Sequence, residues 1–274
     1  MNYLHLFHAG NFADVLKHAL LLEALAALTA EPGPLSVLDT HAGAGLYDLH
    51  DPRAQRSGEA QAGVGRLMAD KDPPPPLTRL KAAVRAQNPD EAWRFYPGSP
   101  RLAVGALRPG DRWTGCELRP EEAEALRRGL PHPPGVRVDV RTADGYAAAQ
   151  AGARGRAFAV IDPPFERGDE ADRIVDALAA WLRAPGATAL VWLPLKDLDS
   201  FDRLLGRVEA LDPPASLAVQ ARLRPLDDPM RMNGSAVLLL GLPQLADAAR
   251  TTAAWVAAAS GGEGGSSRVE AFGG

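Results

Sequence analysis

The chain has 274 residues, 46% of them apolar and 23% charged, which is typical of a soluble globular protein and argues against a disordered one. No run approaches the ~20 consecutive apolar residues of a transmembrane helix, the first residues lack the features of a secretory signal, and the single cysteine, Cys116, excludes an intramolecular disulfide. The net charge of −4 argues against a general polyanion binder but not against an enzyme with a local nucleic-acid groove. We therefore expect a cytoplasmic monomer with no membrane partner.

A helix is predicted from Asn11 to Leu28, because apolar residues recur there at spacings of three and four. Asn11, with Asp14 three residues later, is typical of a helix start. On that helix Asp14 lies within reach of Lys17 and His18. A solvated helix face and part of a functional site both remain open for these side chains.

The following chain alternates strands with helices. A short apolar run at 35–40 is followed by a glycine turn at 41–45, and the span 48–95 is helical without a convincing strand. Further strands are predicted at 112–118, 136–140, 157–162 and 188–195, followed by an antiparallel pair at the sheet edge, 216–223 and 235–241. Apolar strands alternating with helices are typical of a parallel sheet covered on both faces.

The predicted fold class is therefore α/β, a Rossmann-like doubly wound sheet with a small helical insertion between strands one and two. The sheet domain comprises residues 1–47, including an N-terminal arm at 1–10, and residues 96–260. The insertion comprises residues 48–95. The glycine- and serine-rich residues 261–274 are predicted to be a flexible tail.

The glycine turn and two acidic strand tips favour a nucleotide-like ligand. Glycines between a strand and a helix let the backbone approach a ligand closely, although Gly-Ala-Gly also makes an ordinary turn. The second strand of such a sheet often ends in an acid that binds ribose hydroxyls. Glu117 is the candidate here, and the insertion explains why it lies so far along the sequence from Asp39. Asp144 is the acid that follows the next strand. A solvent-exposed carboxylate is the alternative for Glu117.

The most specific motif is Asp162-Pro163-Pro164-Phe165, directly after an apolar strand. Two prolines force a rigid turn at the carboxyl end of the strand, where open α/β sheets bind ligands. A carboxylate, fixed carbonyls and an aromatic face suit a planar base with an exocyclic amine. A purely structural corner is the alternative. We expect Asp162 to orient such an amine and to matter little for stability.

Together these motifs give the chain a family resemblance. The start YLHLFHAGNFADVLKH, then LDTHAGAG, YPGSP, CEL, ADG and IDPPF, resembles the bacterial 23S ribosomal RNA adenine-N6 methyltransferase J family over residues 1 to about 242. The resemblance implies an S-adenosylmethionine-dependent enzyme that methylates adenine N6 in 23S ribosomal RNA. It departs from the family's best-known form at Phe165, where that form has tyrosine, and in the glycine-rich tail.

The resemblance also implies roles for individual residues. S-adenosylmethionine would be bound by His18, His41, Ser99, Glu117, Asp144, Gly145 and Asp162. The arm and first helix would bring Tyr3, His5 and Lys17 to the substrate. The catalytic turn would be Asp162, Pro163, Pro164 and Phe165. No cluster of metal ligands is evident in the sequence, and methyl transfer from a sulfonium needs none.

Basic residues are slightly enriched around the insertion, where residues 48–101 carry nine basic and seven acidic side chains. We predict that the insertion docks RNA, and ordinary surface charge is the alternative. A DNA adenine-N6 methyltransferase shares the tetrapeptide, and a protein glutamine methyltransferase also uses a Pro-Pro turn to hold a planar amide. A non-catalytic RNA-binding module would leave Asp162-Pro163-Pro164-Phe165 unexplained.

Overall fold

The structure is a computed structural model that describes residues 5–90, 93–226, 232–261 and 264–274. Its strands are β1 Ser36–Asp39, β2 Leu46–Asp48, β3 Phe95–Pro97, β4 Arg112–Glu117, β5 Arg137–Thr142, β6 Ala157–Ile161, β7 Ala187–Leu195, β8 Ser216–Arg222, β9 Gly234–Leu240 and β10 Ser266–Phe272. Its α-helices are α1 Phe12–Ala30, α2 Pro52–Gln55, α3 Arg66–Ala69, α4 Pro75–Arg85, α5 Ser99–Ala106, α6 Pro120–Gly129, α7 Gly145–Gln150, α8 Glu170–Trp181, α9 Leu198–Glu209 and α10 Ala246–Gly261. Shorter turns of 3₁₀-helix lie at His5–Phe7 and Pro243–Leu245, and a π-helical turn lies at Gln61–Gly65.

The main sheet has eight strands in the order β10-β8-β9-β7-β6-β1-β4-β5. The five from β7 to β5 are parallel to one another, and β9, β8 and β10 extend the sheet as antiparallel neighbours. The chain therefore reverses its direction of strand addition at β1, with β4 on one side and β6 on the other. Ligands bind at the carboxyl ends of the strands at such a point.

Helices cover both faces of the sheet, which confirms the predicted fold class. Successive residues of β6 point to opposite faces, so Phe158 and Val160 join one hydrophobic cluster while Ala159 and Ile161 join the other. Helices α1, α5 and α10 pack on the first face, and α7, α8 and α9 pack on the second. None of the described helices is long and apolar enough to cross a membrane.

The span between β1 and β4 contains the predicted helices, bounded by a two-stranded antiparallel sheet of β2 and β3. Buried side chains of this span, including Val64, Leu67 and Leu80, belong to the same hydrophobic cluster as Leu16 and Leu20 of α1. The insertion therefore shares the core of the sheet domain. Its separation as a subdomain at 48–95 remains a prediction.

The prediction of a flexible tail is wrong for residues 264–274. Strand β10 pairs along its whole length with β8, with Val269 opposite Val219, so β10 and not the β8–β9 pair forms the edge of the sheet. Val269 packs against the first hydrophobic cluster and Phe272 against the second. The glycines misled the sequence interpretation because they also permit close packing: a Cβ on Gly261 would lie 2.7 Å from the Leu223 carbonyl oxygen.

Candidate active site

One cleft lies at the carboxyl ends of the central parallel strands, beside the start of α1. Most of the predicted site residues line it: His5, Lys17, His18, His41, Ser99, Glu117, Gly145, Asp162, Pro163 and Pro164. Asp144 and Phe165 are adjacent in sequence to lining residues but are not among them. Tyr3 lies outside the described residues.

Glu117 joins the tips of β1 and β4. One of its carboxylate oxygens accepts a hydrogen bond from the Gly43 amide at 3.0 Å, and the other accepts from the Arg119 amide at 2.8 Å. Gly43 has a φ of 60°, and a Cβ there would lie 2.3 Å from the Tyr47 hydroxyl. Glycine is therefore required at this turn, and the turn is fixed by the same carboxylate that sequence reasoning selected.

Asp144 has a structural role that sequence reasoning did not foresee. Its Oδ1 accepts the Tyr146 amide at 2.9 Å and caps α7, while its Oδ2 pairs with the guanidinium of Arg173. The next residue, Gly145, lies so close to β1 that a Cβ there would be 1.9 Å from the Thr40 carbonyl oxygen. At this strand tip it is Gly145, not the Asp144 carboxylate, that faces the cleft.

Asp39, at the end of β1, is a fully buried carboxyl that the sequence analysis used only to place Glu117. Its Oδ2 accepts from the Ser99 hydroxyl at 2.7 Å, and its Oδ1 has no hydrogen-bond partner among the residues that the structure describes. Burial raises the pKa of Asp39 to about 7. The only sequence signal for this site was a carboxylate at the end of an apolar run.

Asp162 is anchored by a buried ion pair. The ammonium of Lys17 contacts Oδ2 of Asp162 and, at 2.8 Å, Oδ1 of Asp14. Burial alone would lower the pKa of Lys17, but the two carboxylates outweigh it and raise that pKa above its ordinary value. Asp162 is 13% exposed and Lys17 only 3%, so, contrary to the expectation from sequence, we expect loss of this ion pair to reduce stability.

Asp14 is the centre of this network. Its Oδ2 accepts from His5 Nε2 at 3.0 Å and from the Gly10 amide at 2.9 Å. Burial opposes ionisation, yet His5 and Lys17 hold the pKa of Asp14 well below its ordinary range. The predicted N-cap is confirmed, because the Asn11 side chain accepts from the Asp14 amide at 2.9 Å. The solvated-face interpretation is wrong: Asp14, Lys17 and His18 are all buried.

Two histidines in the cleft are uncharged at neutral pH. Burial lowers the pKa of His18 to about 3, and its Nδ1 shares a 2.8 Å hydrogen bond with the Tyr96 hydroxyl. Burial likewise lowers the pKa of His41 to about 4, with its ring edge against Tyr146. Both can therefore offer a neutral imidazole to a ligand.

Phe165 ends the Pro-Pro turn in the left-handed region, at a φ of 50°, a conformation that costs a non-glycine residue about 1–3 kcal/mol. Its ring packs edge-on against Trp192 of β7, with ring centres 5.7 Å apart. The indole N–H of Trp192 donates to Ser235 at 2.8 Å, and the Lys17 ammonium lies 5.9 Å from the indole ring centre. Trp192 is thus a neighbour of the site that sequence reasoning missed, since nothing marks one tryptophan within an apolar strand.

Comparison with known proteins identifies the family. The model of a family described as "Ribosomal RNA large subunit methyltransferase D, RlmJ" matches residues 32–272. Two curated proteins, each named ribosomal RNA large subunit methyltransferase J, are 31% (Haemophilus influenzae) and 32% (Escherichia coli K12) identical over 248 residues, 89% of this chain and 88% of theirs. A crystal structure of a Legionella pneumophila protein superposes with a TM-score of 0.84 at 28% identity, covering 97% of this chain and 98% of that one. The chain therefore belongs to the RlmJ family of ribosomal RNA large subunit methyltransferases.

Proposed function

We propose that this protein transfers a methyl group from S-adenosylmethionine to the exocyclic N6 of an adenine in large-subunit ribosomal RNA. The observation that carries the proposal is the position of Asp162, held between the rigid Pro163-Pro164 turn and the Lys17 ammonium in the same cleft as Glu117. Family membership supports ribosomal RNA as the substrate class, because the curated relatives are named for it. No observation favours DNA as the substrate.

The residues at the strand tips fit S-adenosylmethionine. Each carboxylate oxygen of Glu117 accepts one backbone N–H and keeps capacity for another donor, such as a ribose hydroxyl. Gly145 packs so tightly against Thr40 that it has no room for a side chain, and it lines the cleft, so a ligand there can approach its backbone. Glu117, Gly43, His41 and Gly145 would hold the cofactor. When bound, it supplies an electrophilic methyl group on a sulfonium that becomes neutral on transfer.

Asp162 would orient the target amine. Its Oδ2 is engaged by Lys17, whereas its Oδ1 has no hydrogen-bond partner within the described parts of the chain. That oxygen can accept one N6–H, and the carbonyls at the proline turn can accept the other, which directs the nitrogen lone pair out of the plane of the base. The nitrogen gains the methyl group and then releases one proton, for which the Asp162 carboxylate is a suitable first acceptor. Orientation of this kind supplies up to ~7–11 kcal/mol.

A tritiated-methyl assay tests this function. Unmethylated 23S ribosomal RNA, adenine-containing duplex DNA and a glutamine-bearing protein substrate are incubated in parallel with the enzyme, and labelled nucleosides are separated after digestion. We expect label only in RNA and only in N6-methyladenosine. Label in DNA or in protein, or at another RNA position, would contradict the proposal.

A further inference from the structure

The insertion contacts the N-terminal arm through one carboxylate, Glu59. Its two oxygens lie 3.0 and 3.1 Å from His8 Nδ1, and Oε2 also accepts from the side-chain Nδ2 of Asn11 at 3.0 Å. The hydrogen bond with Glu59 raises the pKa of His8 above its ordinary value. Glu59 therefore binds the last residues of the arm and the N-cap of α1 at the same time.

Hydrogen bonds to the backbone of the arm, on either side of Glu59, hold the same two segments together. The Ser57 hydroxyl donates to the Phe7 carbonyl at 2.9 Å, and the Val64 amide donates to the Gly10 carbonyl at 2.7 Å. A Cβ on Gly63 would lie 2.2 Å from that Gly10 oxygen. Residues 61–65 form the π-helical turn, a rare conformation that is frequent at functional sites. Residues 7–10 of the arm thus lie directly on the insertion.

From this contact a continuous set of hydrogen bonds and ion pairs leads to the reacting centre. Asn11 caps the Asp14 amide, and Asp14 in turn binds His5 and Lys17. Lys17 contacts Asp162, which the proposed mechanism places on the target amine. A displaced arm would therefore shift His5 and relax the orientation of the Lys17–Asp162 pair.

Glu59 itself is at a distance from the chemistry. It is absent from the residues that line the cleft, and about a third of its side chain, 34%, is exposed to solvent. It is not a buried core residue on which the fold depends. A polar group of this kind, bonded to two donors on the arm side, is suited to fixing the position of that segment.

We infer that Glu59 of the insertion is a positioning residue for methyl transfer, which holds the arm and the start of α1 so that His5 and Lys17 stay aligned with Asp162. The inference rests on the proposed function. It assigns the insertion a role in assembling the active site, in addition to any role in RNA docking.

The variants Glu59→Ala and Glu59→Gln test the inference, with Glu23→Ala as the matched control. Glu23 pairs with Arg79 at 2.9 Å and so also joins α1 to the insertion, but it does not contact the arm. In single-turnover assays we expect Glu59→Ala to be slower by about ten-fold, because small misplacements of reacting groups have large effects on rate. Glu59→Gln, which keeps an acceptor for Asn11, should be slower by about three-fold. Glu23→Ala should match the wild type.

Two further measurements separate positioning from general damage to the fold. The dissociation constant for S-adenosylmethionine, from calorimetry, should be unchanged in Glu59→Ala, while amide hydrogen exchange should accelerate at the arm and at Val64. Adding Glu59→Ala to a His5→Ala variant should give less than the product of the two single effects, because both act through the arm.

The outcomes distinguish the two proposals. If the wild type methylates no RNA, the proposed function fails, and the exchange measurement still decides whether Glu59 holds the arm. If the wild type is active and Glu59→Ala retains its full single-turnover rate, the positioning role is wrong. A uniform loss of cofactor affinity and thermal stability in Glu59→Ala would also overturn it, since that would mark a structural residue.

Discussion

The two walls of the cleft are built differently. The α1 wall, formed by Lys17 and His18, is buried, and Lys17 is paired with the buried Asp14 and with Asp162. The strand-tip wall, formed by Gly43, Glu117 and Gly145, consists of tight backbone turns and a carboxylate with unused acceptor capacity. Buried, paired charges fix a geometry, whereas exposed acceptors can exchange one ligand for another. Under the proposed function, the rigid α1 wall would orient the reacting amine and the open strand-tip wall would admit and release the cofactor.

Replacement of Asp162 by asparagine should show the largest difference between the two walls, because it should impair methyl transfer without impairing cofactor binding. We expect methyl transfer to fall by at least about 10²-fold, or about 2.7 kcal/mol, because the amide presents a donor to the donor amine and loses the ion pair with Lys17. Affinity for S-adenosylmethionine, measured by calorimetry, should change little. The melting temperature should also fall, since Lys17 is buried and would keep only Asp14 as a paired carboxylate. Near-normal methylation by the folded variant would remove Asp162 from the mechanism.

The buried Asp39, which accepts a hydrogen bond from the cleft residue Ser99, predicts a pH dependence of stability. Its folded-state pKa, about 7, lies above its unfolded value of 3.8, so its contribution to stability is fully present below the unfolded value and is lost as the pH rises through about 7. The free energy of unfolding of wild type relative to Asp39→Asn should therefore fall by about 2–3 kcal/mol between about pH 5 and pH 8. Denaturant titrations at several pH values measure this. A pH-independent difference would show that Asp39 is ionised throughout.

Glu117→Ala should weaken cofactor binding at the open wall and leave the rigid wall unchanged. Loss of the carboxylate leaves ribose hydroxyls and the Gly43 amide without their acceptor, at a cost of about 1–3 kcal/mol in binding of S-adenosylmethionine. Glu117→Gln, which keeps one acceptor oxygen, should lose less. At saturating cofactor the single-turnover rate should recover in both variants. An unchanged dissociation constant would place the ribose elsewhere.

Part of the open wall carries local sequence signals, whereas the pairing of charges in the rigid wall carries none. The glycine turn at 41–45 and the acid Glu117 at a strand end are local signals in the chain order of a parallel sheet. The Lys17–Asp162 pair joins residues 145 positions apart, and no local pattern specifies it. Strand β10 was missed for the same reason: its partner β8 is distant in sequence, and its flanking glycines resemble those of a linker.

Removal of surface charge from the insertion should have the smallest effect, a slight weakening of RNA binding. Arg79 and Lys81 are poor probes of RNA docking, because Arg79 pairs with Glu23 and buried Lys81 donates to the Asp70 carbonyl. Arg56 and Arg66 are exposed, have no carboxylate within ion-pairing distance among the described residues, and flank the segment that contacts the arm. Arg56 and Arg66 are therefore better positions at which to test RNA docking.

We expect the double variant Arg56→Ala/Arg66→Ala to bind RNA slightly more weakly, with a slope of log affinity against log salt that is shallower by at most about 1.4–1.8, the value for two lost phosphate contacts. Cofactor affinity and single-turnover rate at saturating RNA should be unchanged, since neither arginine lines the cleft. The matched control is Arg154→Ala/Arg183→Ala, two exposed arginines that precede β6 and β7 and so lie near the amino ends of these strands, at the end of the sheet opposite the cleft. Because both pairs change the net charge equally, only a docking surface makes their salt slopes differ. Equal slopes for the two variants would contradict RNA docking by the insertion. Its contact with the arm would then be its remaining proposed role.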